Sequence, residues 1–286
     1  MYGGGFSRHG LRVISDLSVA VRAGEILAVA GSSGSGKSLL AHARLGILPR
    51  NAALGGELAW LGKPLGPALQ RRLRGREIAF VPQSVAYLDP LLRVGRQVSR
   101  DRAAAASLLS RYGLGGGVAR MFPHELSGGM ARRVLISSAL AGSPKLVIAD
   151  EPSPGLSQGL AEEAMAHFRE IAGGGAAVLL ITHDLDLAIR YADRVAVLYA
   201  GTAVETARAG DFADESLLRH PYSRALWRAM PQNGFVPEPG AQPYAGALPP
   251  GCLYAPRCPL RSPECMAGQP APRALRGGEV SCIHAA

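Results

Sequence analysis

The sequence has no uninterrupted apolar run of the roughly 18 residues that a membrane-spanning helix requires, and its N-terminus lacks a secretory-signal pattern. Any membrane role is therefore borrowed from partner subunits. Cysteine is confined to the last 35 residues, as Cys252, Cys258, Cys265 and Cys282. No aromatics are interleaved with the one dense basic run, Arg71-Arg72-Leu73-Arg74-Gly75-Arg76. Without rings to stack on bases, that run reads as a solvated face despite a formal net charge of +9, and no nucleic-acid partner is expected. Apolar residues are plentiful, at 48% of 286. That is enough for a buried core in one large or two modest domains.

The rest of the chain is organised around Gly31-Ser32-Ser33-Gly34-Ser35-Gly36-Lys37-Ser38, which fits G-x-x-x-x-G-K-[ST] at every fixed position. An apolar strand-type segment, Glu25–Ala30, precedes it, and Leu39–Leu48 reads as an amphipathic helix stopped by Pro49. Strand, glycine loop and helix are the context in which consecutive backbone amides and a helix N-terminus converge on a polyphosphate. Lys37 then reaches the β and γ oxygens and Ser38 a magnesium ion. A merely flexible Gly/Ser loop would not need those flanks. Upstream, Val13-Ile14 and Leu17–Val21 read as strands, and Tyr2 and Phe6 are the only aromatics before the loop. Either could stack on a purine ring or simply pack.

Glu57–Leu61 reads as a further strand, and Glu77–Gln83 as an apolar strand ending in an amide. At a strand tip, Gln83 could hold a metal-bound water, although glutamines often end strands for no chemical reason. Residues 84–125 are loosely helical, with Asp101–Tyr112 the clearest helix and Gly115-Gly116-Gly117 a break. They look like a small helical subdomain set into an α/β core.

Leu126-Ser127-Gly128-Gly129-Met130 opens a helix whose N-terminus presents Ser127 and glycine amides, which implies a second anion site. Lys145–Ala149 is an apolar strand with Asp150 and Glu151 at its end; one carboxylate suits magnesium and the other suits polarising a water. Val178–Thr182 is a third such strand and carries His183 to the same sheet edge, where it is either a ligand-contacting or a packed imidazole. Strand ends converging beside a phosphate loop are where open α/β sheets bind ligands.

Taken in order, the phosphate loop, Gln83, LSGGM, LVIADEP and ITHD resemble the ATPase subunit of an ATP-binding cassette (ABC) transporter. The resemblance implies a P-loop NTPase, RecA-like nucleotide-binding domain over residues 1–210 with a helical subdomain at about 84–126. It implies ATP held by Gly31, Ser32, Ser33, Gly34, Ser35, Gly36, Lys37, Ser38, Leu39 and Gln83, with Tyr2 on the adenine. Magnesium is expected at Ser38, Gln83 and Asp150, water activation at Glu151 and γ-phosphate contact at His183. Ser127, Gly128 and Gly129 are expected to complete the site of a second ATPase subunit, similar but distinct, packed head to tail. Within the family this chain departs at Ser157, where an aspartate couples the two ATP sites, and at Arg132, where a glutamine is usual. Weaker coupling between sites is the expectation. The family also has one more strand ahead of the adenine-stacking aromatic, and this chain begins almost at that aromatic.

Arg219-His220-Pro221-Tyr222-Ser223-Arg224-Ala225-Leu226, Pro231 and the tail around Cys252–Pro259 resemble the extension of oligopeptide, dipeptide and nickel importers, placed at residues 211–286. That implies two integral-membrane permeases, an extracytoplasmic solute-binding protein, and a peripheral position on the cytoplasmic face of the inner membrane. The cargo, peptide or nickel chelate, stays open. The tail reads as Pro- and Gly-rich with little helix or strand pattern of its own, so something must order it. Its four cysteines are spaced C-x5-C-x6-C-x16-C, without the close pair usual in structural zinc sites. A [4Fe–4S] cluster is the leading expectation, with zinc, disulfides or free thiols as alternatives and His284 as a possible substitute ligand.

Overall fold

The computed structural model describes residues 10–32 and 34–285. Its centre is an eight-stranded sheet, formed of β1 (Ile26–Gly31), β4 (Ile78–Val81), β5 (Leu146–Asp150), β6 (Ala177–Thr182), β7 (Arg194–Tyr199), β8 (Thr202–Arg208), β9 (Arg273–Leu275) and β10 (Gly278–Val280). The strand order is β4-β5-β6-β1-β7-β8-β10-β9. The small strands β2 (Ala59–Trp60) and β3 (Lys63–Pro64) pair only with each other.

Strands β4, β5, β6, β1 and β7 run parallel, and the remaining pairings are antiparallel. Parallel strands carry helices on both faces and so are apolar on both. Strands β1, β5 and β6 are accordingly buried at every position. One face packs on Met165 and Phe168 of the helix Gln158–Gly173, and the other on Ala41 and Leu45 of the helix Lys37–Leu45. With the strands parallel, their C-terminal ends share one edge, and there the phosphate loop, Asp150-Glu151 and His183 meet.

A third apolar cluster joins Leu88, Val94, Val98, Ala105 and Leu109 to Val134 and Leu135 of the signature helix Gly128–Leu140. The helix Arg102–Arg111 starts where Asp101 accepts from the amides of Ala103 and Ala104, an N-cap that satisfies two otherwise orphaned donors.

Four expectations need correction. Val13-Ile14 and Leu17–Val21 form no strands; pairing with the sheet there is a single parallel bridge between Asp16 and Thr202, while Leu17, Val19 and Val21 pack on the sheet through their side chains. The helix after the loop ends at Leu45 rather than at Pro49, because Gly46 turns left-handed (φ 67°) and caps the carbonyls of Ala43 and His42. A Cβ there would also sit 2.5 Å from Gln70 Oε1. The strand expected at Glu57–Leu61 shrinks to Ala59–Trp60, since Leu61 itself has a positive φ of 49°. The tail, finally, does contain strands: β9 and β10 form a hairpin, and β10 adds to the sheet edge at β8.

Arg219 fastens that hairpin. Its guanidinium lies 3.1 Å from Glu205 of β8 and donates to the Leu275 carbonyl of β9 at 2.6 Å. Arg219 and Glu205 are both buried, and Glu205 also accepts from the backbone amides of Arg219 and His220. Buried charges persist only when paired and hydrogen-bonded in this way. Leu253, Tyr254 and Ala255 are buried in the same cluster as the central strands. Burying a leucine side chain alone is worth about 1.5–3 kcal/mol, so packing and strand addition order much of the tail.

Candidate functional site

A cleft of about 520 Å³ is lined by Val13, Gly34, Gly36, Lys37, Ser38, Leu39, Gln83, Glu151 and His183. Its floor depends on two glycines. At Gly31 a Cβ would sit 2.4 Å from the Leu198 carbonyl of β7, so only glycine lets β1 enter the loop so close to its neighbour. Gly36 takes φ 90° to start the helix, a left-handed conformation that other residues rarely adopt.

Lys37 is buried and donates to the carbonyls of Gly31 at 2.7 Å and Ser32 at 2.9 Å. Burial lowers its pKa, while Glu151 and Asp150 act to raise it. Ser38 donates to Asp150 Oδ1 at 3.1 Å. Burial raises the Asp150 pKa and the Ser38 hydroxyl opposes that rise. The hydroxyl and carboxylate make a compact pair of hard oxygen donors, which suits Mg²⁺. Gln83, exposed at the end of β4, adds an amide to the cleft wall.

Glu151 is buried with a positive φ of 47°, and its amide donates to Ile181 O at 2.8 Å. A non-glycine residue in the left-handed region is strained and persists where surrounding contacts hold it. His183 Nδ1 lies 2.8 Å from Glu151 Oε2, and the His183 amide is 3.4 Å from the same oxygen. His183 is thus not a packed core histidine: its side chain is exposed, with one nitrogen committed to the carboxylate.

Ser127 caps the signature helix by accepting from the Met130 amide at 3.3 Å. Ser127 and Gly128 are exposed and Gly129 is half-buried. None of the three is among the residues lining the cleft. Ser157 is an exposed N-cap that makes no side-chain cap bond. Tyr2 and Ser33 lie outside the described residues.

Two contributions escape the motifs. Val13 lines the cleft, and a Cβ on Gly36 would meet Ile14 and Val13, so an apparently ordinary apolar pair backs the loop. Arg132 is buried and donates to Pro82 O at 2.9 Å and Pro154 O at 3.5 Å. It ties the signature helix to the segments beside Gln83 and Glu151. The cue available in the sequence was Arg132 standing where a glutamine is usual.

Residues 14–154 match the ABC transporter family, and residues 204–265 match the oligopeptide/dipeptide transporter C-terminal region. The dipeptide transport ATP-binding protein DppD of Escherichia coli (strain K12) is 35% identical, over 96% of this chain and 90% of that protein. This chain belongs to the ABC transporter family. Its second matched region places it beside the oligopeptide/dipeptide transporters. The oligopeptide transport ATP-binding protein OppD of Mycobacterium tuberculosis is 36% identical over 90% of this chain, which spans 46% of that longer protein. A solved dimeric ATP-binding cassette in a post-hydrolysis state, bound to ADP and Pi, superposes with a TM-score of 0.62 at 26% identity, covering 69% of this chain and 90% of that one.

In the tail, all four cysteines are free thiols, with Cys252, Cys265 and Cys282 buried and Cys258 half-buried. The expected alternative of disulfides is therefore not formed. Burial pushes the Cys258 thiol up to about 11, and Cys282, Cys252 and Cys265 are near enough to add to the rise. Cys282 in turn feels Cys252 and Cys265. Among the described residues, however, no three His, Cys, Asp or Glu side chains are poised to hold a single metal ion. That arrangement gives support neither to zinc nor to a [4Fe–4S] cluster. His284 bonds instead to Ser262 at 2.9 Å.

Proposed function

We propose that this chain hydrolyses ATP to drive peptide import through membrane permeases. The observation that carries it is the cleft itself, where a phosphate loop, a Ser38–Asp150 pair and a Glu151–His183 pair share one sheet edge. Gly34, Gly36 and their neighbours cradle the phosphates with backbone amides, and Lys37 meets the β and γ oxygens. Ser38, Asp150 and Gln83 would hold magnesium, which would supply positive charge to offset that of the phosphates. Glu151 accepts the proton of the attacking water, a role worth roughly 10²–10⁴-fold in rate. His183, hydrogen-bonded to Glu151, orients that carboxylate and contacts the γ-phosphate.

The signature segment serves a second subunit. Ser127 and Gly128 are exposed and Gly129 half-buried at a helix N-terminus outside this chain's own cleft, which supports a head-to-tail pair in which each chain closes the other's site. We take the partner to be a similar but distinct ATPase subunit, with two permeases and an extracytoplasmic solute-binding protein completing the importer. No helix among the described residues is long and apolar enough to cross a membrane; we place the chain as a peripheral subunit on the cytoplasmic face. The relatives described above are named for dipeptides and oligopeptides, which favours peptide cargo over nickel chelates. Copurification of this chain with two polytopic membrane proteins, and ATP-dependent uptake of labelled peptides by the reconstituted complex, test the reading. Uptake of nickel but not peptide would overturn the cargo, and a soluble ATPase without membrane partners would overturn the transport role.

A second element of this reading concerns the tail. Cys252, Cys258, Cys265 and Cys282 would bind a [4Fe–4S] cluster, and what supports this is that Cys252 and Cys265 share a buried hydrophobic cluster, with the Cys252 amide donating to the Cys265 carbonyl at 2.7 Å and Cys258 packed against them. The iron–sulfur cluster would contribute cross-linking of the tail. Anaerobic purification should yield a brown protein with about four irons per chain, lost on Cys258→Ser. A colourless, iron-free preparation would contradict it.

A further inference from the structure

Ser32 belongs to the phosphate loop, yet its hydroxyl donates to Gln242 Oε1 at 2.6 Å, 210 residues downstream. Its carbonyl meanwhile accepts from Lys37 Nζ at 2.9 Å and from the Ser35 amide at 3.3 Å. One residue therefore touches the tail with its side chain and the nucleotide-binding lysine with its backbone.

The segment that delivers Gln242 is anchored at its root. Arg257 donates to Pro239 O at 2.7 Å and to Glu238 O at 3.1 Å, while the Tyr254 hydroxyl donates to Glu238 Oε1 at 2.6 Å. Tyr254 and Arg257 lie in the loop between Cys252 and Cys258. Hydrogen bonds from the cysteine loop thus hold residues 238–239, and the chain runs three residues further to place Gln242 on the phosphate loop.

We propose that this strap positions the phosphate loop: Gln242 fixes Ser32, and Ser32 fixes where Lys37 waits for phosphate. The proposal rests on Lys37 serving ATP, as argued above. Gln242 is a positioning residue that acts through Ser32. Losing one hydrogen bond of about 1 kcal/mol corresponds to roughly fivefold in an equilibrium constant.

Steady-state ATP hydrolysis by the complete importer complex tests this with Gln242→Met, which keeps the shape and removes the acceptor, with Ser32→Ala, and with the double variant. Gln242→Met should raise KM for ATP about three- to tenfold with kcat within about twofold. The double variant should be no worse than the more damaging single one, because both remove the same bond. An unchanged KM in Gln242→Met, or single effects that multiply in the double variant, overturns the strap. Lys37→Ala measured in parallel separates the two levels. If Lys37→Ala loses nucleotide affinity while Gln242→Met is silent, only the strap fails. If Lys37→Ala binds normally, the reading of the cleft fails first.

Discussion

The cleft and the tail hold their polar groups in different ways. In the cleft, Lys37 and Ser38 sit six and seven residues from Gly31, and Glu151 follows Asp150 directly, so short stretches of chain at the ends of parallel strands set most of the geometry. The tail depends on distant partners: Arg219 on Glu205 and Leu275, Gln242 on Ser32, β10 on β8. A short motif can specify the first kind of site, because backbone geometry does most of the placing. Nothing short specifies the second.

The sharpest way to test that contrast is to damage each region and ask what fails. Arg219→Ala strands the buried Glu205 carboxylate and should destabilise the fold by about 3–5 kcal/mol. Denaturant unfolding of the purified chain measures it, and a loss below about 1 kcal/mol would show that the hairpin docks by other means. Lys37→Ala should behave in the opposite way. With charge-assisted hydrogen bonds worth about 1.5–3 kcal/mol each, nucleotide affinity should fall roughly 10- to 100-fold while unfolding changes little.

His220 gives a smaller, pH-dependent effect. It is buried, its Nδ1 accepts from the Tyr222 amide at 3.0 Å, and burial lowers its pKa to about 3. The folded state thus keeps it neutral while the unfolded chain protonates it near its ordinary value of about 6.5. Its contribution to stability is complete above that value and is lost as pH falls from about 6.5 toward 3, at about 1.4 kcal/mol per pH unit. His220→Asn should flatten the slope of unfolding free energy between pH 6.5 and 5 by about one proton. An unaltered slope would contradict the assignment.

Ser157→Asp is the mildest test. Restoring the acidic residue beside the Glu151 segment should raise the cooperativity of ATP hydrolysis in the assembled complex, read as the Hill coefficient. No change would leave Ser157 without a coupling role.

What could be read from the sequence follows the same division. Strands β1, β5 and β6 were legible to within about a residue, because apolar runs such as Ile26–Gly31 and Leu146–Asp150 are buried on both faces, whereas β7 and β8 end in no motif and went unread. Gly46 was overlooked in favour of Pro49, although a left-handed glycine ends a helix as firmly as a proline. Val13-Ile14 and Leu17–Val21 have strand composition, but only Asp16 bridges to the sheet. The hairpin Arg273–Val280 is too short and too polar to announce itself, and it becomes a strand pair only by adding to β8. Gln242 lies in a stretch of prolines, glycines and alanines with no motif, and its partner is fixed only by the folded path of the chain.

The claim that most needs testing is that Glu151 activates water in a site completed by a second subunit. Glu151→Gln keeps the side chain's shape and its strained backbone position but removes the basic oxygen. In the assembled complex this account predicts ATP bound at normal affinity, a dimer that persists in ATP, and hydrolysis lowered roughly 10²–10⁴-fold. Turnover at the unmodified rate, in a complex where this is the only ATPase subunit able to hydrolyse, would contradict it.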